Sequence, residues 1–313
     1  MPPLVAVCIC TRSRPQMLRR CLASVRSQRL DAARLRMRLI VIDNNSDPTA
    51  RPIVDDLFSG ESARGYVHCP EPGIPVARNA AIAAALRTGA DYIAFLDDDE
   101  VAPEHWLASL MAALHDSGAD AVQGGVRRCS LDSDIDLAGR DSRVPAWETC
   151  ETLATCNVLF KARLVAPPLA LRFDESMQFT GGSDREFFMR AGKRGARLVL
   201  VHGAEVLEDV HAERQSLRYQ TARAFAAGSN FFERVVKNEP APVAAARIAV
   251  RTMDRCISGI AKLVAAAALL VALQRGSALT QWRKGCTSLC FAAGCVTPLA
   301  GLRAYPYRNI QGA

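Results

Sequence analysis

Tyr92-Ile93-Ala94-Phe95-Leu96-Asp97-Asp98-Asp99-Glu100 is the stretch on which the reading of this chain turns. A short apolar run, rich in strand-forming residues, ends in four consecutive carboxylates. Acids directly after a buried strand predict a cleft at that strand's C-terminal edge, where open α/β sheets take their ligands. Four adjacent negative charges repel one another, and a divalent cation is the usual remedy. Hard oxygen donors with no Cys or His nearby point to Mg²⁺ or Mn²⁺ rather than zinc. Taken alone, the same run reads equally well as a solvated acidic loop before the next helix, which opens near Pro103-Glu104-His105-Trp106.

On the N-terminal side, Leu4–Cys10 is a continuous apolar run of the kind covered on both faces. Thr11-Arg12-Ser13-Arg14-Pro15 breaks it, and Gln16–Gln28 carries Met17, Leu18, Cys21, Leu22 and Val25 at helical spacing. Met37–Ile42 is a second buried strand that ends in a polar burst, Asp43-Asn44-Asn45-Ser46. A helix near Ile53–Phe58, a strand at Tyr66–His68 and an alanine-rich helix up to Arg87 follow. Beyond the acids come a helix over Glu104–His115 and a strand near Ala121–Val126. Strand and helix alternate, so the fold class is α/β: a Rossmann-like, mainly parallel sheet with helices on both faces. From Arg128 to about Val144 the pattern dissolves into polar sequence, expected to be a mobile loop near the cleft. Order resumes at Thr155–Phe160, then a helix over Arg185–Arg194, a strand at Arg197–Val201 and a long helix opened by Ser216.

Glu239-Pro240-Ala241-Pro242 divides the chain into residues 1–239 and 240–313. The formal net charge is +7, and beyond Glu239 nine Lys and Arg stand against a single acid, Asp254. The first 239 residues are therefore near neutral, which argues against nucleic acid as a partner. A membrane surface explains the basic tail better. Arg247, Arg251 and Arg255 follow i, i+4, i+8 spacing, and Ile257–Leu273 and Cys286–Leu302 are short apolar stretches, marginal for crossing a bilayer. A helical hairpin lying in the cytoplasmic leaflet fits them best; two spans or a soluble helical subdomain are the alternatives. Eleven cysteines without a C-x-x-C pair read as buried thiols in a reducing compartment. Met1-Pro2-Pro3 lacks the pattern of a secretion signal, so the expected location is the cytoplasmic side of the inner membrane, peripheral or monotopic.

Thr11, Asp43-Asn44-Asn45-Ser46, Ala77-Arg78-Asn79, Asp97–Asp99 and Gly181–Asp184, in that order, resemble the family 2 glycosyltransferases with the GT-A fold. Phe95–Glu100, Thr155–Leu159, Phe179–Asp184 and Leu207-Glu208-Asp209-Val210-His211-Ala212-Glu213-Arg214 are similar to the bacterial exopolysaccharide glucosyltransferases of the succinoglycan type. The resemblance spans roughly residues 4–236. It implies a nucleotide-sugar-binding half, 1–127, and an acceptor-binding half, 128–239. It also implies a UDP-sugar donor, glucose foremost, and a lipid-linked saccharide acceptor. Asp97 would contact ribose and the water around a cation, Asp99 would ligate that cation, and Asp98 would orient sugar hydroxyls. Asp184 would be the general base of an inverting displacement. Relatives place a His where Glu208 stands, which makes Glu208 a candidate metal ligand, with Asp209 as the fallback and His211 a poorer match.

The residues themselves allow these roles. Asp43, at a strand end, suits the N3–H of uracil, although Asx-rich strand ends are also plain turns. Thr11 can line the same pocket, and Arg78, opening a helix, suits base or diphosphate unless it is a surface arginine. Asp184 follows Gly-Gly, where backbone can bend sharply, and is equally a good helix cap. Trp106 and Trp147 are candidates for stacking on sugar, Trp106 being as readily core. Two other classes compete. A sugar-phosphate nucleotidyltransferase should carry a Gly-rich loop that Thr11–Pro15 lacks; a non-catalytic membrane scaffold should have lost some of Asp97, Asp99 and Asp184.

Overall fold

The computed structural model describes residues 1–58, 64–129, 146–178, 181–209 and 216–302. Two compact units emerge, the first chiefly Met1–Gln178 with Ser183–Val210 and the second chiefly His211–Ile310.

The first unit opens with β1 (Leu4–Thr11), α1 (Pro15–Arg26), β2 (Arg36–Asp43), α2 (Arg51–Leu57) and β3 (Arg64–His68). Next come α3 (Ile74–Arg87), β4 (Tyr92–Asp97), β5 (Glu100–Val101), α4 (Trp106–Ser117), β6 (Ala121–Gln123) and β7 (Val126–Cys129). The unit closes with β8 (Trp147–Thr149), β9 (Val158–Lys161), α5 (Ser183–Lys193), β10 (Leu198–Val201) and β11 (Val206–Asp209). Eight strands form the main sheet in the order β3-β2-β1-β4-β9-β6-β10-β8. The pairs β3/β2, β2/β1, β1/β4 and β6/β10 are parallel, while β9 runs antiparallel to both β4 and β6.

Period-2 alternation explains why these strands are apolar throughout. Val5, Val7 and Ile9 of β1 face one core, with Leu18, Cys21, Leu22 and Val25 of α1 and Leu107 and Leu110 of α4. Leu4, Ala6 and Cys8 face the other, with Ala81 and Ile82 of α3 and Phe187 and Phe188 of α5. A strand that alternates between two cores has no side chain left for water. The alanines of α3 let that helix lie close on the sheet. Each fully buried Leu, Ile or Phe contributes roughly 1.5–3 kcal/mol, so the two cores outweigh local propensity in fixing the layers.

Three features depart from expectation. The strand expected over Ala121–Val126 breaks at Gly124-Gly125, where the chain leaves the main sheet for a three-stranded one, β5-β11-β7. A Cβ on Gly124 would lie 2.0 Å from the Ala204 carbonyl oxygen, so only glycine passes there. Glu100, the last of the four acids before the helix expected over Glu104–His115, begins the short strand β5, and α4 starts at Trp106. Of the loop expected between Arg128 and Val144, residues 130–145 lie outside the described residues.

Among the described residues of the second unit lie the α-helices α6 (Leu217–Asn238), α7 (Ala241–Val271) and α8 (Arg275–Val296). The Glu239-Pro240 break falls between two of them. Ser216 caps α6 by accepting from the Tyr219 amide. Phe231, Phe232 and Val235 of α6 pack on Ala244 and Ile248 of α7. Of the expected basic stripe, Arg251 and Arg255 lie over the Phe291 ring of α8, at 5.8 and 5.0 Å, and Arg247 pairs with Glu239. Among the described residues no helix is long and apolar enough to cross a membrane.

Candidate active site

Register brings the polar ends of the parallel strands into one row. Thr11 is paired with Asp43, and Cys10 with Asp97. From that row Thr11 Oγ1 donates to Asp98 Oδ2 at 2.8 Å. Arg14 Nη1 reaches Asp98 Oδ1 at 2.9 Å and Asp99 Oδ2 at 3.3 Å. Arg14 is the residue that the sequence reading missed. It is the N-cap of α1 without a side-chain capping bond, and its guanidinium supplies positive charge to the acid turn. The separation of 84 residues hides that pairing in sequence.

Three of the candidate side chains in this row are tied into the protein itself. Asp43 is fully buried, and its carboxylate accepts from Asn45 N and Nδ2, from Ala50 N at 2.7 Å and from the Tyr66 hydroxyl at 2.8 Å. Asp43 therefore shapes the loop that follows β2. Thr11 and Asp98 are likewise buried, and they spend their hydroxyl and oxygens on each other and on Arg14. Asn44, another residue not singled out, ties the end of β2 to the α3 entry through Cys69 O, Glu71 O and Gly73 N.

α3 brings Arg78 over the Phe173 ring at 5.7 Å, and Asn79 holds the Phe173 backbone with bonds of 3.0 and 2.8 Å. Asp97 is partly exposed at the end of β4, with its amide bonded to Glu100 Oε2 at 2.9 Å. Burial pushes the Asp97 carboxyl up to about 7; Arg78 opposes that, and Asp99, Asp98 and Asp184 add to it. Burial also raises Asp98 and Glu100. The charge of Asp184, 87 positions further on, is thus felt at the acid turn. Cys156 lies among the same groups: burial raises its thiol, and Asp97, Glu100 and Asp184 add to that against Arg78.

Asp184 sits in the first turn of α5, where a carboxylate complements the helix dipole. Gly181 and Gly182 before it have φ of 79° and 81°, a left-handed conformation that side chains disfavour. Phe179, Thr180 and His211 lie outside the described residues. On β11, Glu208 stands opposite Glu100 and pairs with Arg128 at 2.9 Å, while the Asp209 amide donates to the Asp99 carbonyl at 3.1 Å. Arg20 pairs with Asp209. The small sheet therefore carries Glu208 and Asp209 to the acid turn, as their candidacy requires. Trp106 is core, 2% exposed, with Nε1 donating to Asn157 at 2.7 Å. Trp147 is turned to Asp116 and Arg197.

The fold that carries these residues is matched among solved structures. The fold is similar to that of the mannosyltransferase PcManGT from Pyrobaculum calidifontis in complex with GDP-Man and Mn²⁺, with a TM-score of 0.63, 20% identity and coverage of 96% of this chain and 88% of that one. It is similar also to residues 1–349 of S. aureus TarS in complex with UDP-GlcNAc, at a TM-score of 0.50 and 15% identity, covering 72% of this chain and 66% of that one. Of a longer TarS chain it spans 40%. The architecture is the GT-A fold. The family model "Glycosyl transferase family 2" matches residues 6–175. The succinoglycan biosynthesis protein ExoM of Rhizobium meliloti (strain 1021) is 35% identical over 231 residues, 70% of this chain and 71% of ExoM. The chain belongs to glycosyltransferase family 2 and is a glycosyltransferase.

Proposed function

We propose that this enzyme is an inverting glycosyltransferase that transfers a hexose, glucose foremost, from a UDP-sugar to a lipid-linked saccharide in exopolysaccharide biosynthesis. The observation that carries the reading is that Asp184, in the first turn of α5, lies near enough to Asp97 at the end of β4 for its charge to add to the raised Asp97 carboxyl. The role of ExoM in succinoglycan biosynthesis supports the pathway class. The UDP-GlcNAc and GDP-Man held by the two structural neighbours support a nucleotide-sugar donor.

The donor set fits a divalent cation, Mg²⁺ or Mn²⁺. Arg78 opposes the negative charge at Asp97 and Arg14 that at Asp98; the Asp97 carboxyl is raised chiefly by burial, with Asp99, Asp98 and Asp184 adding to it. Among the described residues no three His, Cys, Asp or Glu side chains form a ready ligand set. A cation held by one or two carboxylates, waters and substrate phosphates needs none. Asp97 and Asp99 would hold it; Glu208 is a further donor if it exchanges its exposed, weak pair with Arg128. When bound, such an ion supplies Lewis-acid stabilisation of the leaving diphosphate.

The chain's own groups do the rest. Asp184 accepts the proton of the acceptor hydroxyl. The hydroxyl oxygen bonds to the anomeric carbon as the bond from that carbon to the diphosphate oxygen breaks. Arg78 supplies fixed positive charge for the diphosphate. Asp43 and Asn44 hold the loop that walls the nucleotide pocket. The test is UDP release from UDP-glucose with a lipid-linked saccharide, with and without Mn²⁺ or Mg²⁺. Release that needs both acceptor and cation is expected; a chain that hydrolyses or transfers nothing under any of these conditions sinks the reading.

The second unit is assigned to the cytoplasmic face of the inner membrane, as a peripheral or monotopic anchor. Exposed Val250, Met253, Ile257, Ile260 and Val264 line one side of α7, and Val271 and Leu273 at its end are 86% and 81% exposed. Arg275, Arg283 and Lys284 of α8 are exposed, and no acid follows Asp254. Apolar side chains beside unopposed cations match the boundary of an anionic leaflet. Anchorage there raises the effective concentration of a lipid-linked acceptor.

A further inference from the structure

We propose that Arg14 is a resident counter-ion of the acid turn that competes with a divalent cation for Asp99. The inference rests on the reading above, that Asp97 and Asp99 take such a cation, and adds what occupies the turn when none is present.

The argument starts from local structure. β1 ends at Thr11, Ser13 adopts a positive φ of 56°, and Pro15 opens α1. That tight turn leaves Arg14 as an N-cap whose side chain makes no capping bond, so its guanidinium is free to seek charge elsewhere. It finds Asp98 at 2.9 Å and Asp99 at 3.3 Å through the same Nη1. Both carboxylate side chains are 6% exposed and Arg14 is 19% exposed, so water screens the triad weakly.

The two halves of the bridge are unequal. Asp98 is anchored at both oxygens, by Arg14 and by the Thr11 hydroxyl at 2.8 Å. The longer half, to Asp99, is the one that yields at least cost. A cation at Asp99 and a guanidinium a few ångströms away repel each other, so the free enzyme is held to weak metal binding. Of the described ion pairs Arg14 makes two, to Asp98 and Asp99 and not to Asp97, whose charge is opposed by Arg78 and reinforced by Asp99, Asp98 and Asp184. Arg14 thus keeps Asp98 and Asp99 buried and aligned between turnovers, then gives up Asp99 while retaining Asp98. It is a positioning residue, and its charge sets the threshold for cation entry.

The experiment is a Mn²⁺ titration of the full chain by electron paramagnetic resonance, without nucleotide and then with UDP. Arg14→Met removes the competing charge and is expected to bind Mn²⁺ at least tenfold tighter than wild type in the absence of UDP. Arg14→Lys keeps the charge and is expected to bind within about threefold of wild type. Arg14→Gln, a donor without charge, carries the same expectation as Arg14→Met and serves if that variant fails to fold. A purely structural salt bridge predicts the opposite sign, because loosened carboxylates ligate less well. Unchanged or weaker Mn²⁺ binding in both neutral variants, with normal binding in wild type, overturns the role of Arg14 alone. No Mn²⁺ binding by wild type or any variant, with UDP present or absent, overturns the cation reading and this inference with it.

Discussion

Asp43 illustrates how much structural work a single residue at a strand end can carry unseen in the sequence. An acid after Leu39–Ile42 has the address of a ligand contact, and nothing local distinguishes it from one. The deciding partners are the Ala50 amide and the Tyr66 hydroxyl, 7 and 23 positions away. Asp43→Ala leaves several buried donors without an acceptor, and the expected cost is about 3 kcal/mol in a urea unfolding titration. A loss of nucleotide affinity at unchanged stability would assign Asp43 to the base pocket. Asp97 supports a second prediction at this scale. Its carboxyl is raised from 3.8 to about 7, chiefly by burial, with Arg78 opposing and Asp99, Asp98 and Asp184 reinforcing. A carboxyl raised on folding stabilises the fold while protonated; that contribution is full below about 3.8 and is lost as pH climbs through about 7. Raised Asp98 and Glu100 act in the same direction. In chelator, the thermal midpoint should therefore fall between pH 5 and 8. A midpoint that rises over that interval contradicts the crowding of charge at the acid turn.

At the scale of elements, the alternation of strands and helices was legible because both faces of each central strand are covered. The apolar runs Leu4–Cys10 and Leu39–Ile42, short and rich in β-branched residues, read as strands covered on both faces. The sheet change at Gly124-Gly125 was not legible. It depends on the Ala204 carbonyl and the Asn157 amide lying where a Cβ would sit, contacts separated by tens of residues. β5 escaped notice because two residues carry no period. Asp184 was singled out by the family resemblance; Gly181-Gly182 showed only that the chain can bend sharply before the helix, and their left-handed φ of 79° and 81° became visible in the structure. Helix packing in the second unit gives a prediction of its own. A Cβ on Gly294 of α8 would stand 2.0 Å from the Phe225 carbonyl oxygen of α6, so Gly294→Ala must push the two helices apart. A loss of about 2 kcal/mol is expected. Gly276→Ala, in the first turn of α8 with nothing within 4 Å, should be neutral or stabilising by up to ~1 kcal/mol. Equal effects in calorimetry would mean that α6 and α8 are not in close contact.

For the whole molecule, a sugar nucleotide is handled by one unit and the lipid surface is assigned to the other. Replacing exposed Val271 and Leu273 together by Ser should leave the fold intact and weaken binding to anionic vesicles by at least tenfold, since each apolar side chain inserted contributes roughly 1.5–3 kcal/mol. Undiminished co-sedimentation of that variant would remove the end of α7 from the anchor. The central claim is that distant carboxylates serve one reaction, with Asp97 and Asp99 on the cation side and Asp184 on the acceptor hydroxyl. Its most direct test is single-turnover transfer by Asp184→Asn at saturating UDP-sugar and Mn²⁺. Donor affinity within about twofold of wild type and a transfer rate lower by roughly two to four decades are predicted, the span expected for loss of a general base. Transfer at the wild-type rate would contradict the account.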